Sequence, residues 1–146
     1  MITNELKTIL ANSGCTLILY ESNQLANLKT DQSLQHDIVG LIIQPNSFVK
    51  EVKANAILEH YPNMTIEILH QARLEDSADN NEAIFIALDK VCDKIILYLI
   101  DAGIYKQIKP VNITKVFETK YDANVIGWSM SIDLTFLENK LKDPCL

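Results

Sequence analysis

Val125 to Phe136, VIGWSMSIDLTF, alternates apolar and polar side chains over twelve residues. Period-two alternation is the signature of a strand with two unlike faces. Ile126, Trp128, Met130, Ile132, Leu134 and Phe136 share one face, a thick apolar row that predicts core. Val125, Gly127, Ser129, Ser131, Asp133 and Thr135 share the other, which is small and polar. At about 3.3 Å per residue the run extends about 40 Å, longer than a common strand. Gly127, in its middle, predicts a bulge or a close backbone approach. Water on the polar face explains the alternation. The length suits a surface beside another chain or lining an aqueous channel.

The apolar row needs a partner, and the segment before it supplies one. Ile84, Leu88, Val91, Ile95 and Leu99 recur at helical spacing, and Phe85, Cys92, Ile96 and Ile100 widen that stripe. Asp79-Asn-Asn-Glu82 has the spacing of a capping box, with Asp79 as cap and Glu82 reaching back. Gly103 is the expected stop. This predicts a long helix from about residue 80 to 101 lying across a sheet, with Leu88, Val91 and Ile95 in the core.

Working outward, Thr3 can cap a short N-terminal helix with the stripe Ile2, Leu6, Ile9 and Leu10, ended by Ser13-Gly14. CTLILY (Cys15 to Tyr20) and DIVGLII (Asp37 to Ile43) are continuous apolar runs of strand length, expected to be covered on both faces. Between them, residues 21–36 form a polar stretch without period, which suits a surface loop or an arm ordering on a neighbour. The segment from Ser47 to Tyr61 is ambiguous between helix and strand over residues 51–59. The alternation of Val52, Ala54, Ala56 and Leu58 tips it to strand, with Tyr61-Pro-Asn63 as a turn into MTIEILHQ. PVNITKVFETK and the opening stretch, joined at Tyr121 to Asn124, read as a hairpin. No strand–helix–strand alternation of the parallel type is visible. The fold class is α+β: a mainly antiparallel sheet packed against one long helix plus a short N-terminal helix. It forms one domain over 1–146, with the polar loop at 21–36 and a short tail at 138–146.

A chain of 146 residues suits one core. Its net charge of −6 argues against a surface that grips nucleic-acid phosphates, yet is compatible with DNA sliding past. Cys15, Cys92 and Cys145 have neither metal-ligand nor redox-motif spacing and read as free thiols. No secretory signal or membrane-spanning run is visible.

Motifs for chemistry are missing. His36, His60 and His70 are scattered, and His70 reads as a structural histidine at a strand end. Glu75, Asp76, Asp79 and Glu82 lack the alternate spacing and glycine of a calcium loop. Gly14, Gly40, Gly103 and Gly127 cannot assemble a phosphate cradle. The expectation is a non-enzyme without cofactor or metal.

Met64 to Leu69 running into the helix of Asn80 to Ala102, the acidic EDSADNNE entry and the Gly127-Trp128 pair within DANVIGWSMSIDLTF carry a resemblance. In this pattern, over residues 1 to 137, the chain resembles the small α+β proteins of tailed-bacteriophage necks: tail terminators, tail-completion proteins and head–tail connector subunits. The resemblance implies a homo-oligomeric ring, sixfold for terminators and twelvefold for connectors. Its partners would be neighbouring neck, portal or tail proteins, and DNA would pass without sequence-specific binding. The implied location is the virion neck, after synthesis in the bacterial cytoplasm. Ser129, Ser131, Asp133 and Thr135 on the last strand, with Asn23, Asn27 and Lys29 in the polar loop, are the candidate subunit-interface or lumen residues. The alternative is a cytosolic module that binds a small ligand or peptide.

Overall fold

The computed structural model describes residues 2–20, 38–43, 45, 47–71, 78–104, 110–120 and 123–140, with the side chains at 78, 79, 117–120, 123, 124 and 138–140 left aside. In chain order the elements are α1 (Thr3–Ser13), β1 (Leu17–Tyr20), β2 (Ile38–Ile43), β3 (Val49–Lys53), β4 (Ala56–Gln71), α2 (Ala78–Asp101), β5 (Asn112–Lys120) and β6 (Ala123–Lys140). The strands form one sheet in the order β1-β2-β4-β6-β5, with β3 also on β4. The fold is α+β and mostly antiparallel, with the long helix packed on the sheet.

β4 and β6, of 16 and 18 residues, are the spine. They pair antiparallel over nearly their whole length. β2 and β3 follow one another along the far edge of β4, and β5 flanks the first half of β6. Ile66, Ile68, Met64, Met130, Ile132 and Leu134 thereby line one face under both helices. There they meet Leu88, Val91, Cys92, Ile95 and Leu99 of α2 and Leu6, Ile9 and Leu10 of α1. This is the core that the two apolar rows predict. Trp128 and Phe136 stand at its margins, half-buried and packed against it.

Trp128 is half-buried because a cation covers it. Lys115 of β5 lies over the Phe85 ring at 4.1 Å and over Trp128 at 6.0 Å. The indole N–H donates to the Phe85 carbonyl at 2.9 Å, and the two rings meet edge to face. The arrangement joins α2 to β5 and β6 through one aromatic pair and one ammonium.

Two glycines set how closely layers approach. A Cβ at Gly127 would sit 1.9 Å from the Ile68 carbonyl oxygen, so β6 meets β4 here only because position 127 lacks a side chain. The close approach expected at this glycine is present. A Cβ at Gly40 would lie 2.5 Å from Leu10 Cδ2, so β2 gives α1 room to settle on the sheet.

Several expectations change. β1 and β2 pair parallel, not antiparallel. A parallel pair needs a crossover of a dozen or more residues, and that requirement accounts for the length of the polar stretch between them. Tyr61-Pro-Asn63 is no turn: β4 runs through it, and the hairpin turns at Ala54-Asn55 instead. A short turn between two alternating strands has the composition of one longer strand, so the alternation at 52–58 spans both arms. Ile2, not Thr3, stands at the cap of α1, without a side-chain cap bond, while Gly14 ends the helix in the left-handed conformation as expected. α2 begins at Ala78, which puts Asp79 in its first turn. Glu82 Oε2 lies 3.9 Å from Lys115 Nζ, and the proposed cap partner Asp79 has its side chain outside the described residues. Ala123 and Asn124 belong to β6, and the hairpin closes at the Lys120–Ala123 pair.

Candidate interaction surface

The face of the sheet away from the helices divides into two zones. At one end Leu19, Val39, Leu41, Leu69, Val116 and Val125 form a second buried apolar cluster. This explains why β1 and β2 read as continuous apolar runs: alternate residues feed two cores. Val125 and Gly127 belong to this buried zone, so the polar row predicted for β6 starts only at Ser129. Glu67 is buried between Leu41 on β2 and Ser129 on β6, its cross-strand neighbours.

At the other end lies a limb built from β3, the first part of β4 and the second part of β6. Ser129, Ser131, Asp133 and Thr135 stand along β6 at intermediate exposure, leading into this limb. Asn23, Asn27 and Lys29 lie outside the described residues, as does the side chain of Asp79.

Asp133 has a defined structural task. Between the Tyr61–Leu134 and Met64–Ile132 pairs, β4 contributes Pro62 and Asn63 against the single residue Asp133. This two-against-one count is a β-bulge. Pro62 lacks a backbone donor, and Asn63 adopts a left-handed φ of 54°, which asparagine tolerates better than most residues. The freed Asn63 N–H donates to Asp133 Oδ1 at 2.8 Å. The carboxylate thus fills the gap that the bulge opens in the ladder.

Three strands then contribute to one polar relay. His60 of β4 places Nδ1 3.1 Å from Thr135 Oγ1 on β6 and Nε2 2.9 Å from Glu51 Oε2 on β3. Lys53 Nζ is 3.8 Å from Glu51 Oε1. With Nε2 donating to the carboxylate, Nδ1 is free to accept from the threonine hydroxyl. The order hydroxyl, imidazole, carboxylate is also that of a nucleophilic triad, with imidazole and carboxylate half-exposed. The Thr135 N–H is committed to the Ile104 carbonyl at 3.0 Å, and acyl transfer needs donors aimed at the developing oxyanion. The relay ties strands together.

Beneath it, on the helix face, Glu59 is fully buried. Tyr61 Oη donates to its Oε1, and Lys50 Nζ approaches its Oε2 at 3.5 Å. Phe48 stacks on Tyr61 with ring centroids 4.8 Å apart. The limb is therefore ordered on both faces, yet Val49, Val52 and Leu137 are exposed on it.

His70, expected to be structural, donates from Nδ1 to the Gln71 carbonyl at 2.7 Å. Among the described residues no group of three or more His, Cys, Asp or Glu side chains could hold a metal ion, and no helix is long and apolar enough to cross a membrane. An open groove of about 380 Å³ lies between the end of α1 and the last turns of α2, lined by Asn12, Lys94, Leu97, Tyr98 and Asp101.

Asp133 and Thr135 stand among the candidates read from the sequence, whereas their limb partners Glu51 and Glu59 do not. Placing the turn at Ala54-Asn55 would have found them, because it sets Glu51 beside His60 on one face. No protein-family model matches the chain, and neither the curated proteins nor the solved structures contain a significant match.

Proposed function

We propose that this protein is a structural component of the neck of a tailed-phage particle, assembling as a closed homo-oligomeric ring through which DNA passes. The observation that carries the reading is the limb. β4 and β6 run well past the helix-covered core, and the limb they form with β3 is braced by polar side chains while exposing Val49, Val52 and Leu137. Bracing an extended three-stranded surface and leaving these three apolar residues in water makes sense where another chain covers them. The half-buried row Ser129, Ser131, Asp133 and Thr135 leads to that surface, which makes it the candidate subunit contact. A head-to-tail contact whose rotation completes a circle gives a ring. Six or twelve copies is the number that the phage-neck resemblance implies, with portal or tail proteins above and below. The net charge of −6 supports a conduit that repels DNA instead of holding it.

Native mass spectrometry and negative-stain microscopy of the full chain, alone and mixed with tail or portal components, test the reading. Closed rings are expected; a monomer in every mixture would sink it. The groove of Asn12, Leu97 and Tyr98 favours a second reading, a module that binds a small ligand or peptide between the helices instead of on the sheet. A metabolite or peptide that raises the melting temperature markedly, with the effect lost in Leu97→Asp, would support that reading instead.

A further inference from the structure

β3 presents an open edge. Among the described residues it pairs with β4 alone, and all five of its residues are exposed. Val52, at 79%, is the most exposed of the large apolar side chains described. The Lys53–Ala56 pair closes a two-residue turn. In such a hairpin the closing pair exchanges both backbone bonds, and bonded pairs alternate along the ladder. Lys53, Glu51 and Val49 therefore turn their backbone groups toward β4, whereas Val52 and Lys50 turn theirs outward.

We propose that β3 pairs antiparallel with β3 of a second copy of this chain, in the register that sets the two Val52 residues opposite each other. A two-fold axis normal to the sheet requires a register centred on one residue, so that opposed side chains share a face. The sequence Val49-Lys-Glu-Val-Lys53 decides among the centres. Centring on Glu51 opposes two carboxylates, and centring on Lys50 or Lys53 opposes two ammonium groups, all destabilising. Centring on Val49 leaves Val52 without an apolar partner. Centring on Val52 joins the valines and sets Glu51 against Lys53 of the partner subunit, twice. It also makes Val52 a pair that exchanges both backbone bonds, as its outward N–H and C=O require. Glu51 shares this face with Lys53, 3.8 Å from its Nζ, while its other oxygen bonds His60 across the hairpin at 2.9 Å.

The edge is short, and it buries far less than the roughly 1,200 Å² of a stable interface. The pair is accordingly weak and concentration-dependent in isolation. It joins two copies across a two-fold, so it can link two rings back to back, and it does not depend on the ring reading.

Cross-linking tests it in the full chain with Cys145→Ser, on variants whose circular dichroism matches the parent. Under mild oxidation Val52→Cys is expected to form a covalent dimer at least about tenfold faster than Val49→Cys, whose two copies stand about 20 Å apart in this register. Adding Lys53→Glu or Glu51→Lys to Val52→Cys sets like charges opposite each other and removes that advantage. Mixing the two charge variants restores it, because each Glu then faces a Lys. Equal rates at positions 52 and 49, or no recovery on mixing, overturn the proposal. Microscopy separates the two readings: rings without the position-52 cross-link leave the ring and remove the edge pairing, and the cross-link without rings does the reverse.

Discussion

The two halves of β6 are fixed by different chemistry. From Val125 to Ile132 the strand has β4 on one side, β5 on most of the other and α2 above it, and its side chains are mostly apolar and buried. From Asp133 to Leu137 the flanking strand is gone. There the Ile104 carbonyl takes the Thr135 N–H, and side chains of β3 and β4 bridge the strands. The first half is held by volume and exclusion on both faces; in the second, Leu134 still packs in the core while directed polar bonds hold the opposite face. Packing tolerates almost no change in shape, whereas half-exposed polar contacts can be exchanged for water at small cost. The part suited to meeting a partner is the second.

Substitutions can break that contrast, and the largest effect belongs at Gly127. With the Ile68 carbonyl oxygen 1.9 Å from the position of a Cβ, Gly127→Ala forces the two spine strands apart. A loss of about 4 kcal/mol or more, or failure to fold, is expected by urea unfolding. A loss below about 1 kcal/mol would mean that the first half is as pliable as the second. Next comes Met130→Ala, which leaves a cavity between β4, β6 and α2 at a residue 1% exposed. About 3 kcal/mol is expected, with little change in m-value.

The apolar half also carries an alkaline limit. Burial pushes the thiols of Cys15 and Cys92 up to about 12, and for Cys92 the carboxylates of Asp89 and Asp93 add to the shift. In the unfolded chain they ionise near 9.0. Because the folded values are raised, this contribution to stability is complete below pH 9 and is lost as pH rises toward 12. The expected slope is at most about 1.4 kcal/mol per pH unit per thiol. Denaturant midpoints measured from pH 8 to 11 should fall, and Cys92→Ala should flatten the fall. An unchanged slope in that variant would show that the thiol stays solvated.

In the second half, Asp133→Ala removes the acceptor of the Asn63 N–H and is expected to cost about 1.5 kcal/mol. Asn63→Gly, at a φ of 54°, should be close to neutral, since glycine adopts that conformation freely. If Asp133→Ala costs as much as Met130→Ala, the polar half is no softer than the packed one.

Much of this architecture is legible in the sequence because apolar periodicity reports burial directly. The Ile126 to Phe136 row and the Leu88, Val91, Ile95 stripe predict the main core, and Gly127 announces a close approach. The continuous runs at Cys15 to Tyr20 and Asp37 to Ile43 announce two-sided burial. What periodicity cannot convey is pairing. The parallel β1–β2 contact and the second apolar cluster depend on which strands become neighbours, not on any one strand. The bulge hides in Tyr61-Pro-Asn63, whose composition is that of a turn. The relay of Glu51, His60 and Thr135 joins positions far apart in the chain, and only the register brings them together.

The smallest expected effect is at His60, and it probes that relay most directly. The ring is half-exposed, and its Glu51 partner is more so, with side-chain exposures of 37% and 48%. Such contacts exchange readily with water, so His60→Ala should cost only about 0.5 kcal/mol. Its consequence should instead appear in β3. Without the imidazole, Glu51 loses its bond to β4, and Thr135 no longer reaches β3 through His60. Hydrogen exchange of the outward-facing Lys50 and Val52 amides should then change little, because water already reaches them. Exchange of the inward-facing Glu51 amide should quicken as the hairpin frays from its neighbour. A rise at Glu51 without a comparable loss of global stability would mark the relay as a local brace. Equal destabilisation of the limb and of the Met130 region would show instead that the two halves of β6 unfold as one unit, and the contrast between them would then be one of composition alone.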